Sequence, residues 1–232
     1  MNTPPPLHLI SSMATQKLLA ELLAADALAH PEVAVRLESV GGVDAASRVA
    51  AGETFDAVVL GADALQRLMA GGHVRPDSRV DLVHSGVAVA VRAGAPRPDI
   101  GTEAALKAAV LAARSVGCST GPSGVALAAL FERWGIADAV RAKQVTPPPG
   151  TPVGALIARG EVELGFQQLS ELMHLPGIAL LGPLPDAIQI DTVFAGGVAA
   201  SARQPEAARA LLARLAAPAT AAIKQAHGMT PA

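Results

Sequence analysis

The sequence predicts an α/β protein in two lobes, and three observations carry that reading. Over the first hundred residues, short apolar runs alternate with helical patterns, as parallel strands joined by crossover helices would. The rhythm breaks at Val80 to Val83 and Val87 to Val91, two strand runs split only by His84-Ser85-Gly86. It then resumes, and a second long β-like run, Ile188 to Val198, precedes a helical tail. A second lobe inserted into the first, with two crossings, accounts for all three. Lobe 1 is then 1–84 plus 193–232, and lobe 2 is 85–192. Each lobe is expected to be a mixed, mostly parallel sheet flanked by helices. A ligand cleft between the lobes and a hinge at the crossings follow from that arrangement.

The elements are justified in order. Leu7 to Ile10 is a short apolar strand ending at Ser11-Ser12, and Leu18, Leu19, Leu22, Leu23 and Leu28 mark the next helix. Val33 to Val40 alternates and stops at Gly41-Gly42, before a helix from Asp44 to about Ala51 with Asp44 as N-cap. Phe55 to Leu60 is a third strand bounded by Gly61, and the helix from Asp63 to Met69 ends at Gly71-Gly72. In the second lobe a helix spans about Thr102 to Arg114, capped by Thr102, and Val116 to Ser119 is a strand. A helix runs from Val125 to Trp134, and a strand opening at Val145 dissolves into Pro147-Pro148-Pro149-Gly150. Pro152 to Arg159 reads as helix, with Val162 to Gln167 and Ile178 to Leu181 as strands. The tail is helical over about Pro205 to Leu215 and Pro218 to His227.

Composition excludes several classes. With 51% hydrophobic and 16% charged residues in 232, the chain can bury a sizeable core. Four Phe, one Trp and no Tyr leave little to stack on bases, and a net charge of −2 without like-charge blocks offers nothing to a polyanion. No nucleic-acid partner is expected. Nor is membrane insertion, because the uncharged stretch Ser115 to Phe131 carries three Gly and a Pro. Cys118 is alone, which rules out an internal disulfide and a cysteine-rich zinc site and leaves a small core residue. The opening, Met1 to Pro6, has no basic segment, apolar stretch or cleavage site before Leu7. The expectation is a cytoplasmic protein, the alternative a periplasmic one whose signal has been removed.

The candidate site residues follow strands. Ser11, Ser12 and Met13 open the first turn, Gly42 the second, Gly61 and Ala62 the third. In lobe 2, Ser119, Thr120, Gly121, Ser123 and Gly124 precede one helix, and Thr151 and Val153 stand at the start of another. Helix starts present unpaired N–H groups and a partial positive charge. Small residues let an anion approach the backbone, while Ser and Thr add hydroxyl donors. Each turn alone is equally a plain cap; the set points to a small anionic ligand. Gln167 and Gln168 follow an apolar strand with side-chain amides, and Ser85 and His84 stand at the crossing, where His84 is a candidate general base or ligand contact. Glu171 and His174 lie one helical turn apart, which by itself makes no metal site. No metal and no cofactor are expected.

Leu7 to Ala14 before a Leu-rich helix, Phe55 to Asp63, and Gly160 to Phe166 resemble the corresponding segments of molybdate-type substrate-binding proteins of ABC transporters. The resemblance spans nearly the whole chain. It implies a type II periplasmic-binding-protein fold and a tetrahedral oxyanion held by neutral donors, with Ser11 or Ser12 supplying a hydroxyl and an amide. An ABC transporter permease is the implied partner if the protein is exported. The chain departs from that family at Gly41-Gly42, where the family has a second serine, and it lacks the family's late tyrosine. A small organic carboxylate is therefore as consistent as an oxyanion. The fold is also similar to that of aconitate isomerase, which moves a double bond in a tricarboxylate. That reaction needs a base and acid, for which His84, Glu38, Asp44 and Glu171 are available. Anion binding without chemistry leads, and isomerisation of an unsaturated di- or tricarboxylate is the alternative.

Overall fold

The computed structural model describes residues 5–148 and 150–232. Met1 to Pro4, part of the opening discussed above, and Pro149 of the proline run lie outside the described residues. The first stretch of chain runs β1 (Leu7–Ser12), a 3-10 turn (Met13–Thr15), α1 (Gln16–Ala29), β2 (Val35–Val40), α2 (Gly42–Ala50), β3 (Ala57–Gly61), α3 (Ala62–Ala70) and β4 (Val80–Arg92). Next come α4 (Glu103–Ala112), β5 (Val116–Cys118), α5 (Pro122–Arg133), α6 (Ala137–Arg141), β6 (Gln144–Val145), α7 (Val153–Arg159), β7 (Leu164–Gln168) and α8 (Leu169–Leu172). The chain closes with β8 (Ile178–Pro183), a 3-10 turn (Asp186–Ile188), β9 (Asp191–Val198), α9 (Pro205–Ala216), a 3-10 turn (Pro218–Thr220), α10 (Ala221–Ala226) and β10 (Met229–Pro231). It divides into two compact units, Met1–His84 with Val193–Ala232, and Ser85–Thr192.

In the first unit β1 lies between β2 and β3, parallel to both, and β9 runs antiparallel to β3. Parallel neighbours need crossovers, and α1 and α2 provide them. Strand alternation sorts the apolar side chains onto two faces. Leu9 and Val59 meet Leu18, Leu22 and Leu211 on one face, while Ile10, Val58 and Leu60 meet Val49 and Leu65 on the other. Each such side chain contributes about 1.5–3 kcal/mol by leaving water. Asp56 is buried at the start of β3, and its carboxylate accepts the backbone N–H groups of His8, Arg203 and Gln204.

In the second unit β5 is parallel to β6 and β7, and the later half of β4 is antiparallel to β7 and β8. Val87, Val89, Phe131, Trp134 and Phe166 fill one face; Ala88, Ala90, Val153 and Ile157 fill the other. Helix α7 lies close against the strands because Gly117 and Gly165 lack side chains. A Cβ on Gly165 would stand 2.5 Å from Ile157 Cδ1, and one on Gly117 2.8 Å from Val153 Cγ1.

Several local expectations are corrected. His84-Ser85-Gly86 does not split two strands, because β4 runs unbroken for 13 residues. No residue there takes a positive φ, and Gly86 fits a strand since a Cβ would lie only 3.0 Å from Gln189 Nε2. The run from Ile188 to Val198 divides into a 3-10 turn and β9. Asp44 is not the N-cap of α2; Gly41 is, and Asp44 stands in the first turn. The expected helix from Val125 begins at Pro122, whose fixed φ suits a first turn. The short elements α6, α8 and β10 have no strong period and were not expected.

Candidate functional site

The polar residues at the strand ends are best taken unit by unit. In the first unit, register places Ser11 opposite Ser39 of β2 and Val59 of β3. Ser11 is fully buried, and its hydroxyl lies 2.7 Å from the Ser39 hydroxyl. Ser39 was missed by sequence reasoning, which looked for a second serine at Gly41-Gly42. Its signal was position, three residues before Gly42 at the end of an alternating strand. Ser12 is buried, with its hydroxyl 3.5 Å from that of Thr15. Gly42 sits against it, since a Cβ there would be 3.6 Å from Ser12 Cβ. Met13 is partly buried in the 3-10 turn. Helices α2 and α3 start after Gly41 and Gly61 with no side-chain cap, so first-turn N–H groups at Gly42 and Ala62 are not closed off by a hydroxyl. Asp44 and Asp63, exposed in those first turns, partly offset the helix dipoles.

In the second unit the 119–124 loop folds tightly onto α5. The Ser119 and Ser123 hydroxyls are 3.0 Å apart, and a Cβ on Gly124 would lie 1.7 Å from the Ser119 carbonyl oxygen. Gly124 is thus demanded by packing, and Ser123 and Gly124 belong to the helix rather than to the loop before it. Gly121 caps α5 without a side chain, and Thr120 is exposed beside it. Thr151 is partly buried before α7. The Val153 side chain is fully buried in the core, which leaves only its backbone to a ligand.

The two glutamines are the last residues of β7 rather than residues after it. Gln167 is engaged at both ends: its Oε1 accepts from Gly154 N at 3.3 Å, and its Nε2 donates to Glu171 Oε1 at 2.7 Å. Gln168 Nε2 donates to Thr192 Oγ1 at 2.9 Å, while its Oε1 is buried without a partner. The Ser85 hydroxyl is likewise buried and unpartnered. Register pairs Gln168 with Val87, so Gln168 and Ser85 share one face of the sheet. Orphaned buried polar atoms are rare and ask for an explanation. His84 lies inside β4, partly buried and partnered.

The carboxyls differ sharply. Glu38 faces Arg48 Nη1 at 2.5 Å and His8 Nε2 at 3.2 Å, and the Arg48 hydrogen bond holds it below the usual carboxylate range. Burial pushes the Glu171 carboxyl up to about 7, against the smaller lowering effect of the Gln167 hydrogen bond. Burial also pushes the Cys118 thiol up to about 12, which suits a core residue and not a nucleophile. Among the described residues no cluster of three or more His, Cys, Asp or Glu could hold a metal ion, and no helix is long and apolar enough to cross a membrane.

Comparison with known proteins adds a family and a fold. The bacterial extracellular solute-binding protein family matches residues 7–230. An aconitate isomerase of Pseudomonas sp. is 45% identical over 186 residues, covering 80% of this chain and 71% of that protein. The periplasmic molybdate-binding protein of Azotobacter vinelandii superposes with a TM-score of 0.80 at 18% identity, covering 97% of this chain and 98% of that one. The sulfate-binding protein of Mycobacterium tuberculosis H37Rv also gives 0.80, at 17% identity over 98% of this chain and 87% of that one. This chain therefore has the type II periplasmic-binding-protein fold.

Proposed function

We propose that this chain, which belongs to the family of bacterial extracellular solute-binding proteins, binds a small unsaturated polycarboxylate of the aconitate kind and moves its double bond by proton transfer. The observation that carries this reading is the 45% identity to an aconitate isomerase over 80% of the chain. The donor chemistry supports it. Ser85, Ser119, Thr120, Thr151 and Gln168 of the second unit, with the backbone N–H group at Gly121, are the groups we assign to the ligand. Each is neutral, and a hydrogen bond from a neutral donor to a carboxylate contributes about 1.5–3 kcal/mol. The reaction is a proton shift: a C–H proton leaves the CH2 carbon, the electron pair spreads through the C=C bond, and a proton returns at the former vinylic carbon. It transfers no electrons to a carrier.

Incubation with trans-aconitate in D2O, followed by proton NMR, tests this. Deuterium entering the ligand together with formation of the cis isomer is the expected result. A second reading, solute binding without chemistry, is favoured by the family description itself; its partner would be an ABC transporter permease. A thermal-shift screen separates the two. Aconitate raising the melting temperature without exchange supports binding alone, and a response confined to molybdate or sulfate removes aconitate as the ligand.

A further inference from the structure

Proton transfer at carbon needs a group that can both take and give a proton and is fixed beside the bound substrate. Most carboxylates of this chain are already committed. Glu38 is held by Arg48 and His8, Glu163 by the backbone N–H and guanidinium of Arg114, and buried Asp56 by three backbone N–H groups. Asp44 and Asp63 are exposed in helix first turns.

Glu171 is different. It stands in α8, which follows directly on β7, and β7 runs parallel to β5. Its place is thus beyond the carboxyl end of the unit's parallel strands, where open α/β sheets take ligands. The residue as a whole is only partly buried. One oxygen accepts from Gln167, whose amide is itself anchored by the Gly154 N–H, and this fixes the carboxyl's position.

We propose that Glu171 is the catalytic residue that carries the proton in this isomerisation, an inference that rests on the isomerase reading above. The Glu171 carboxylate removes a proton from the CH2 carbon of aconitate, forming its O–H bond as the C–H bond breaks. The electron pair moves into a new C=C bond, and the old C=C pair delocalises onto the adjoining carboxylate as a dienolate. The Glu171 carboxylic acid exchanges its proton with solvent and then delivers a proton to the former vinylic carbon, and the carboxylate is regenerated. One proton leaves the ligand and one arrives, with nothing oxidised or reduced. Burial raises the carboxyl to about 7, so both of the forms that this cycle uses are populated near neutrality.

The test compares the wild type with Glu171→Gln, Glu171→Asp and, as control, Glu163→Gln. Glutamine keeps the shape and still accepts from Gln167, but it cannot carry the proton. Glu171→Gln should retain the aconitate-induced rise in melting temperature while turnover and deuterium incorporation fall by about 100-fold or more. Glu171→Asp should keep measurable exchange, and Glu163→Gln should match the wild type. Turnover retained in Glu171→Gln overturns the proposal. So does loss of aconitate binding together with turnover, which assigns Glu171 to binding instead. Should Glu171→Gln fail to fold, Glu171→Asp decides: it must bind aconitate normally and turn over more slowly, and wild-type rates in it overturn the role. A wild type that binds aconitate without exchange, or ignores it, sinks the isomerase reading itself and Glu171's role with it.

Discussion

Each unit buries an unpartnered polar atom, Arg75 Nε in the first, but the groups at their strand ends differ. In the first, Ser11 pairs with Ser39 across β1 and β2, and Asp56 meets three backbone N–H groups. In the second, the Ser85 hydroxyl and Gln168 Oε1 are buried without partners, and burial raises the Glu171 carboxyl. A buried polar group left unpaired costs about 1–3 kcal/mol. The groups of Ser11 and Asp56 are satisfied within their own unit and stabilise its fold. Those of the second unit are held at a cost that a ligand's polar atoms could offset, which is the pattern expected where local stability gives way to function.

Mutation can break or sharpen that contrast. The largest effect is expected at Asp56. Alanine there strands three backbone donors inside the first unit and should cost about 4 kcal/mol. Calorimetry should show the melting temperature falling by about 10 °C. Gly124→Ala comes next, since its methyl would overlap the Ser119 carbonyl; a loss of about 1–3 kcal/mol is expected in urea denaturation. A serine pair then poses the comparison directly. Ser11→Ala gives up a formed hydrogen bond and should lose about 1 kcal/mol. Ser85→Ala removes an orphan and should leave the ligand-free protein at least as stable, while shrinking the melting shift caused by aconitate. Equal losses in both would erase the distinction drawn here.

A further contrast is the pH slope, whose sign differs between two carboxyls. Glu171 is raised from 4.5 to about 7, so the folded state holds its proton longer than the unfolded chain. Its stabilising contribution is full below 4.5 and is lost as pH rises through about 7. Glu38 is lowered, so its contribution is present above 4.5 and is lost as pH falls. Melting temperatures measured from pH 4 to 8 should flatten on the neutral side in Glu171→Gln and on the acid side in Glu38→Gln.

Much of the fold was legible because its signals are local. Leu7 to Ile10 and Phe55 to Leu60 read as apolar runs with punctuation after them, and the strands that form there, Leu7–Ser12 and Ala57–Gly61, are buried on two faces. Thr102 read as a cap and does accept from Ala105 N. Failures came where one residue's neighbours outweighed its own preference. Gly86 suggested a break but fits a strand crowded by Gln189, and Val153 suggested a contact residue but fills the space left by Gly117 and Gly165.

The sequence by itself determined the alternation of strands and helices, the donor-rich character of the turns and the absence of a cysteine framework. Period, punctuation and composition are properties of neighbouring residues, so they survive without coordinates. Only the tertiary structure decided which polar groups are satisfied. Gln167 is engaged by Gly154, 13 residues away, Gln168 by Thr192, 24 away, and Ser11 by Ser39, 28 away. Whether a side chain keeps a free hydrogen bond depends on partners the chain brings from such distances. Two adjacent glutamines of identical chemistry therefore end with different capacities: one with both ends of its amide bonded, the other with a buried oxygen left open.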